Sequence, residues 1–482
     1  MLFNSIEFAF FLPLVFLLYW FVANRPLKLQ NTFLLLASYF FYGWWDWRFL
    51  SLIIFSSAVD YFVGLNLAKS ENAKHRKVLL TLSILVNLGF LGFFKYFNFF
   101  AESFAKAFTL LGNPIEASRL NIILPVGISF YTFQTLSYTI DIYRKKLAPT
   151  SNAISFFAFV SFFPQLVAGP IERASNLLPQ FQKSRVFDYS KAVDGLRQIL
   201  WGLFKKVLIA DNCAEIVNMA FADPGGQSGS NLLIGVLFFS FQIYGDFSGY
   251  SDMAIGMARL FGFNLKKNFA FPYFSRNIGE FWRRWHISLS TWFRDYLYIP
   301  MGGSRGSKFQ QIRNILVVFL VSGFWHGANW TFIIWGGLHA LFFIPLVLLK
   351  RNRTYLSDIE IEKGWNWFKL GGQILITFSL TTLAWVFFRA DSLTHALDYF
   401  EGLFSMSLFS IPSIIADLSS KLLVLFLLGF LIVEWMGRKQ EYALENLWTD
   451  KPKWFQFGFY YVLTIIVFLF GGNPQEFIYF QF

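Results

Sequence analysis

The chain alternates between long uncharged apolar runs and short connections rich in lysine and arginine. Roughly 20 apolar residues form a helix long enough to cross a bilayer. By that criterion the pattern predicts about eleven or twelve membrane-spanning helices and no soluble domain, which is typical of an all-α polytopic membrane protein. The predicted spans are residues 8–24, 29–45, 49–68, 78–94, 120–140, 225–245, two helices within 314–349, 370–388, 422–433 and 454–472.

Two further apolar segments do not fit a simple crossing. Residues 97–119 are amphipathic and are predicted to lie at the outer surface. Residues 147–171 are uncharged, but both of their flanks are basic, so both flanks are predicted on the cytoplasmic side. A re-entrant or in-plane helix accounts for this arrangement, and Pro164, Gly169 and Pro170 supply the break that it needs.

Residues 192–222 have a helical pattern but carry Lys205 and Lys206 in their middle. Two arrangements fit this pattern: the lysines face a wet cavity, or the helix tilts near the inner interface and the lysines reach water. We favour the second, because a lysine can bury its methylene stem while its ammonium group stays hydrated.

The composition agrees with a membrane protein. Of the 482 residues, 55% are hydrophobic and only 15% are charged, whereas about a quarter are charged in a soluble domain. The net charge of +12 comes from basic loops, as the positive-inside rule requires, and does not indicate nucleic-acid binding. The same rule places the N-terminus outside, and we expect residues 8–24 to be a retained helix. The single cysteine, Cys213, excludes an internal disulfide and a cysteine metal cluster.

The run 314–349 contains no Lys, Arg, Asp or Glu, yet it carries His326 and His339. His326 lies in a glycine-rich break between two predicted helices. An ionisable side chain at membrane depth is costly and is therefore a candidate functional residue. A buried, neutral imidazole suits a general base that accepts a proton from a hydroxyl. A histidine that merely hydrogen-bonds a carbonyl at a helix break fits the residues equally well. The break also leaves open how His339 lies relative to His326.

Residues 278–296 follow the helical apolar period and predict one amphipathic helix at a membrane interface. Its apolar face is aromatic, and His286 falls at the edge of that face, near Ser290. The arginines on the opposite side fit either phospholipid headgroups or a phosphorylated donor, because arginine binds phosphate through two hydrogen bonds. These arginines are Arg283, Arg284 and Arg294.

Asp246 and Asp252 follow the apolar span 225–245 in a stretch rich in serine and glycine. They fit a role in orienting a histidine or binding a sugar. The simpler interpretation is a capped helix break, in which these side chains accept hydrogen bonds from free backbone amides. The sequence has no phosphate-binding loop and no zinc-protease motif, and five scattered histidines do not make a zinc site. We therefore expect no metal.

Several stretches resemble the membrane-bound O-acyltransferase (MBOAT) family, in its bacterial branch of alginate O-acetylation type. They extend over the whole chain, and the most specific are residues 273–300 and the WHG triplet at 325–327. The matching stretches are YFFYGWWDW, LPVGISFYTFQTLSYTIDIYR, FFPQLVAGPI, WGLFKKVLIAD, DFSGYSDMAIG, NFAFPYFSRNIGEFWRRWHISLSTWFRDYLYIP, FWHGANWTFIIWGGLHA and FIYFQF.

The resemblance implies a single membrane domain, residues 1–482, with its helices around a central tunnel. N-terminal helices would end at residue 145, a catalytic core would occupy 146–350, and further helices would follow. His326 and His286 match the family's two histidines. His326 would act as general base or transient acyl acceptor, and His286 would help to position the donor. The expected donor- or substrate-binding residues are Trp282, Arg283, Arg284, Ser290, Arg294, Asp295, Asp246, Asp252, Trp325 and Asn329.

The resemblance also implies an acetyltransferase of the bacterial inner membrane with no bound cofactor and a periplasmic N-terminus. Acetyl-CoA or another acyl thioester would enter from the cytoplasm, and the acetyl group would leave toward a hydroxyl acceptor on the other side, for O-acetylation of an alginate-like cell-surface or exported polysaccharide. A periplasmic acetyltransferase would be the partner protein, and membrane lipid would surround the chain. The alternatives are D-alanyl transfer toward teichoic acid, a scaffold, or a transporter. The lack of an internal repeat disfavours a transporter.

Overall fold

The computed structural model describes residues 1–23, 26–112, 115–116, 119–356 and 366–480. Within these ranges the regular structure is helical, with no β-strand. The final two residues of the FIYFQF motif, Arg25 of the first basic loop and parts of the 97–119 segment lie outside the described residues.

The chain forms two compact units, and each is described by itself. The first comprises residues 1–195 and 257–266. Its apolar helices pack through aromatic side chains, with many phenylalanines in its interior. The helices that begin in this range are α1 (Ile6–Leu17), α2 (Leu27–Asp46), α3 (Leu50–Lys69), α4 (Ala73–Leu91), α5 (Phe97–Leu110), α6 (Ile128–Tyr143), α7 (Ala153–Ser161), α8 (Phe163–Leu166), α9 (Ala174–Phe181) and α10 (Tyr189–Leu203).

The second unit comprises residues 196–256 and 267–482. It contains every residue that the sequence analysis placed in the site. The helices that begin in this unit are α11 (Asp211–Ala222), α12 (Gly229–Leu260), α13 (Ile278–Arg284), α14 (Ile287–Phe293), α15 (Lys308–His326), α16 (Trp330–Leu348), α17 (Asn366–Arg389), α18 (Leu393–Leu403), α19 (Leu418–Gly437) and α20 (Lys453–Leu469).

Among the residues that the structure describes, six helical segments are long and apolar enough to cross a membrane. The all-α polytopic class is thereby confirmed. Six is fewer than the eleven or twelve spans predicted, partly because α2 and α3 join into one segment and several predicted spans form shorter helices. The six are Leu27–Lys69, Ala73–Leu110, Gly229–Leu260, Trp330–Leu348, Asn366–Arg389 and Leu418–Gly437.

Two predicted segments differ in detail from the observed helices. The predicted span 120–140 becomes helical only at Ile128, because Gly127 has a left-handed backbone (φ 74°) that interrupts the regular geometry. The segment 147–171 is broken, as its prolines indicated: α7 ends at Ser161 and the single turn α8 follows. Whether this segment re-enters the membrane stays a prediction.

The lysines of the predicted helix 192–222 do not reach water. Between α10 and α11 the helix widens into a π-helical stretch, Phe204–Ala210, and Lys205 and Lys206 are 2% and 0% exposed. Each lysine pairs with a carboxylate of α12: Lys205 with the partly buried Asp252 at 2.5 Å, and Lys206 with the buried Asp246 at 2.8 Å. The prediction that the two lysines reach water from a tilted helix is therefore wrong, because carboxylates of α12 replace water around their ammonium groups.

Helices α15 and α16 form a tight hairpin. A Cβ atom on Gly323 would lie 2.2 Å from the carbonyl oxygen of Phe332, and one on Gly336 would lie 2.3 Å from that of Phe319. Only glycine permits this approach of two helix backbones. The hairpin fixes His326, the last residue of α15, three residues before the capping residue of α16.

Candidate active site

His326 lies within a cage of aromatic rings. Its side chain is almost completely buried, with 2% exposure. The ring centroids of Trp325, Trp335, Phe388 and Tyr479 lie 4.9, 5.1, 5.3 and 5.6 Å from that of His326. The predicted helix break at this histidine is confirmed, since α15 ends at His326 and α16 begins at Trp330.

His286 occupies a break in the helix that the sequence predicted to be continuous over 278–296. Helix α13 ends at Arg284, and Trp285 has extended backbone angles. His286 is left-handed (φ 43°, ψ 55°) and precedes α14. The prediction of one amphipathic interfacial helix with His286 at the edge of its apolar face is therefore wrong; the residue is fully buried.

The segment around Asn268 stabilises this break. Its backbone replaces helical hydrogen bonds: Ile287 N donates to Asn268 O at 2.9 Å, and Ala270 N donates to Arg284 O at 2.9 Å. The Asn268 side chain, itself buried, lies 3.1 Å from His286 Nδ1. Helical periodicity is a local signal and does not report a partner segment about 20 residues away in sequence.

The hydrogen bonds at Asn268 define the proton position on His286. Asn268 Oδ1 accepts from Ser288 N at 3.2 Å and from Ser288 Oγ at 2.9 Å, so this atom is an acceptor. His286 Nδ1 must therefore donate to it, and the lone pair lies on Nε2. Burial lowers the pKa of His286 to about 3, so the ring is neutral at physiological pH.

Two aromatic rings connect the two histidines. The Trp325 ring centroid lies 6.0 Å from His286 and 4.9 Å from His326. That of Tyr479 lies 6.4 Å from His286 and 5.6 Å from His326. The structure thus brings together residues 40 positions apart in sequence. Tyr479 belongs to the FIYFQF motif but was not among the residues predicted for the site.

His339 belongs to the wall of the same site. Its Nδ1 accepts a hydrogen bond from Trp282 Nε1 at 3.3 Å, so its proton lies on Nε2. The Trp335 ring lies between the two histidines of the hairpin, 4.8 Å from His339 and 5.1 Å from His326. Trp282, which was predicted to contact the donor, is therefore connected to His326 through the packed rings of His339 and Trp335.

A cavity of about 430 Å³ is lined in part by Trp282. Its walls are mainly apolar and aromatic, and Ser290 also contributes. Three cationic side chains line it: Arg294, Lys350 and Arg353. Trp282, Ser290 and Arg294, three of the predicted donor-binding residues, thus share one cavity.

The predicted arginines have different surroundings. Arg283 donates to the carbonyl oxygens of Asn352 and Tyr355, both at 2.8 Å. Arg284 pairs with Glu280 at 2.9 Å. These two side chains therefore hold the polypeptide around α13.

Arg294 pairs with its neighbour Asp295 at 2.7 Å and is the one of the three predicted arginines that lines the cavity. Its guanidinium is flanked by a carboxylate that would remain beside any bound anion.

The predicted residues Asp246, Asp252 and Asn329 lie elsewhere in the second unit. Both aspartates are within α12, which continues to Leu260, so the predicted capped helix break is wrong. Asp252 accepts from Gln198 Nε2 at 2.8 Å in addition to its lysine partner. Asn329 caps α16, accepting from Thr331 N at 3.2 Å. Over the residues that the structure describes, no group of three or more His, Cys, Asp or Glu is arranged to bind a metal.

The predicted site residues lie within a region that matches a family of known proteins, whereas Tyr479 lies beyond that region. The model of the membrane-bound O-acyltransferase family matches residues 79–386. A probable alginate O-acetylase of Azotobacter vinelandii is 40% identical over 457 residues, which cover 94% of this chain and 88% of that protein. The peptidoglycan O-acetyltransferase of Helicobacter pylori is 39% identical over 445 residues, covering 84% and 80%.

A more distant similarity links the chain to D-alanyl transfer. The teichoic acid D-alanyltransferase of Bacillus subtilis is 30% identical over 233 residues, which cover 46% of this chain and 58% of that protein. The similarity to the two O-acetylating proteins extends over much more of the chain.

Proposed function

The chain belongs to the membrane-bound O-acyltransferase family, and on that premise we propose that it moves an acetyl group from a thioester donor across the membrane for the O-acetylation of a polysaccharide. The observation that carries this proposal is the pair of buried histidines, His286 and His326, that share contacts with Trp325 and Tyr479. Its extensively matched relatives are named for O-acetylation of alginate and of peptidoglycan, which favours an acetyl group and a glycan acceptor.

In the proposed reaction, His326 accepts the proton of the attacking hydroxyl. The hydroxyl oxygen bonds to the acetyl carbon, the carbon–sulfur bond breaks, and the thiolate leaves with the electron pair and then takes up a proton. The aromatic cage suits this role because it excludes water, which would otherwise hydrolyse the thioester. A variant of the same proposal has His326 accept the acetyl group transiently before the hydroxyl attacks.

His286 positions the donor in this proposal. Its Nδ1–H bond to Asn268 fixes the ring, and its Nε2 lone pair suits an N–H group of the donor. The ring stays neutral because burial disfavours the imidazolium.

The cavity beside Trp282 suits the rest of the thioester. Apolar walls accommodate a flexible donor arm, and Arg294, Lys350 and Arg353 suit its phosphate groups. Acetyl-CoA and another acyl thioester fit this description equally. We further propose that the donor arrives from the cytoplasmic side and that acetyl leaves toward a periplasmic acetyltransferase and its polysaccharide. The membrane is then the bacterial inner membrane, with the N-terminus on its periplasmic side.

Substitution of His326 tests the proposal. In His326→Ala we expect polysaccharide acetylation to fall to background, because no other group replaces the base in the cage. Acetyl release from the purified polymer is measured by mass spectrometry, with membrane insertion and detergent-solubilised size as measures of folding. His75→Ala is the matched control, because this exposed histidine lies in the first turn of α4 and its ring contacts Ser70. A fully active His326→Ala protein contradicts catalysis and favours a scaffold, and D-alanyl esters on the polymer favour the alternative acyl group.

A further inference from the structure

A buried cluster of three charged side chains lies outside the proposed reaction. Lys206 Nζ lies 2.8 Å from Asp211 Oδ1 and 2.8 Å from Asp246 Oδ1. The three side chains are 0%, 1% and 3% exposed. Buried ion pairs carry a large desolvation penalty and are weak sources of net stability. Their presence here therefore calls for a role besides packing.

The cluster binds the backbone of residues 470–480, hereafter the 470–480 segment. Lys206 Nζ donates to Gln475 O at 2.9 Å, and Ile478 N donates to Asp246 Oδ2 at 2.6 Å. Hydrogen bonds to charged groups are about twice as strong as those between neutral groups. One cation and one carboxylate thus hold two backbone groups three residues apart.

Nearby contacts from the same helix extend this attachment. Gly472 N donates to Val207 O at 3.1 Å, and Asn212 Nδ2 donates to Phe470 O at 2.9 Å. A Cβ on Gly472 would lie 2.7 Å from Asn212 N, so the backbone passes close to α11. Since residues 471–477 have no helix of their own, these bonds replace regular secondary structure.

Lys206, which contacts the 470–480 segment, lies in the π-helical stretch Phe204–Ala210. A π turn inserts an extra residue into a helix, and such insertions are frequent at functional sites. Lys205 precedes Lys206 in the same stretch but pairs with Asp252 and Ser248, at 2.5 and 2.9 Å. The two adjacent lysines therefore bind different partners, and substitution of Lys205 is a matched control for substitution of Lys206.

The 470–480 segment places Tyr479 beside His286 and His326. Ile478, bonded to Asp246, directly precedes Tyr479. The Tyr479 ring centroid lies 4.4 Å from that of Phe247 on α12, in addition to its contacts with His286 and His326. A shift of the backbone at Ile478 therefore moves one wall of the site.

We propose that Lys206, Asp211 and Asp246 are positioning residues that fix the 470–480 segment, and through it Tyr479, against His286 and His326. The proposal deepens the proposed function and rests on it for the identity of the reaction. The position of the segment can be measured without any activity, so the two proposals fail separately.

Cysteine labelling measures the position of the segment. The one native cysteine, Cys213, is fully buried, so an introduced cysteine reports alone. Ile478→Cys replaces a side chain that is 2% exposed and keeps the backbone N–H. Its reaction with a polar maleimide should be slow in the otherwise native protein and at least about tenfold faster with Lys206→Met. Lys205→Met, which breaks the neighbouring ion pair, should leave the labelling rate unchanged. Equal rates in all three proteins would overturn the proposal.

Kinetics distinguishes positioning from folding. We expect Asp246→Leu to lower kcat per folded molecule at least about tenfold. The KM for the thioester should change little, because neither Asp246 nor Tyr479 lines the donor cavity. Asp246→Asn keeps an acceptor for Ile478 N and should retain more activity than Asp246→Leu. A merely structural role would lower the yield of folded protein while leaving kcat per folded molecule intact, and that result contradicts the proposal.

A variant that removes one backbone N–H group tests the proposal even if the proteins with charge substitutions do not fold. Ile478 begins a short 3₁₀ helix, Ile478–Phe480, a position where proline is tolerated. Ile478→Pro removes the N–H that binds Asp246 and leaves all three charges in place. It should lower kcat in the same way as Asp246→Leu. Native kcat in this variant overturns the assignment, and an active His326→Ala protein would refute the proposed function while the labelling result still stands.

Discussion

At the scale of single residues, His286 and His326 differ in how their surroundings hold them. His326 ends a helix and is surrounded by aromatic rings. His286 is held by a polar bond to Asn268 and by a left-handed backbone that few residues adopt. The backbone strain persists because the Asn268 segment satisfies the hydrogen bonds that the break releases.

Replacing Asn268 tests this positioning. Asn268→Ala removes the acceptor of His286 Nδ1 and of Ser288, and unsatisfied buried donors cost about 1–3 kcal/mol. We expect acetyl transfer to fall by about tenfold or more, since 1.4 kcal/mol corresponds to a factor of ten. Initial rates with a thioester donor check this. Asn66→Ala, which removes an exposed side chain bonded only within its own helix, serves as control. Unchanged rates in Asn268→Ala would show that the bond does not orient His286 for the reaction.

At the scale of secondary structure, the α15–α16 hairpin and the broken helix α13–α14 carry the histidines. The hairpin depends on the close approach at Gly323 and Gly336. The broken helix depends on the 268–270 segment, which pairs with both sides of the break. In both cases the residue that positions the histidine belongs to a different stretch of chain.

An added methyl group tests the hairpin. In Gly323→Ala the new Cβ would lie 2.2 Å from Phe332 O, so the helices must separate. Overpacking of this kind costs about 1–3 kcal/mol, and we expect a lower thermal midpoint together with reduced acetyl transfer. Gly371→Ala on α17 is the matched control, because nothing lies within 4 Å of its added Cβ. If both variants behave alike, the close approach of the two helices does not matter to the site.

At the scale of the whole molecule, the excess of basic residues has two consequences. Loops rich in lysine and arginine favour one membrane orientation. Some of the same residues, Arg294, Lys350 and Arg353, line the cavity that we assign to the thioester donor. Basic residues that favour one membrane orientation therefore also line a proposed binding site.

Removing one positive charge from the cavity tests its assignment to the thioester donor. Arg353→Gln should raise the KM for acetyl-CoA by about tenfold with kcat nearly unchanged, because a hydrogen bond to a charged group contributes about 1.5–3 kcal/mol. Steady-state kinetics at low salt measures the effect. Arg305→Gln removes an exposed arginine that does not line the cavity and should leave KM unaltered. An unchanged KM in Arg353→Gln would exclude this arginine from donor binding.

The all-α membrane class and the helix break at His326 could be predicted from the amino-acid sequence. Apolar runs near 20 residues require membrane helices because an unpaired backbone is intolerable in lipid. A histidine within such a run, followed by glycine, predicted the break at which α15 ends. The quoted motifs also predicted the acyltransferase family, to which the chain belongs.

Which side chains meet in the site depends on tertiary packing. Helical periodicity describes one stretch of chain, so it predicted a continuous helix through His286 and could not include Asn268. It treated Lys206 as a lysine reaching for water, because it does not report the ion pair with Asp246 on α12. Tyr479 likewise became a wall of the site through a backbone bond at Ile478. These contacts arise from packing between distant segments, and a local hydrophobic pattern carries no record of them.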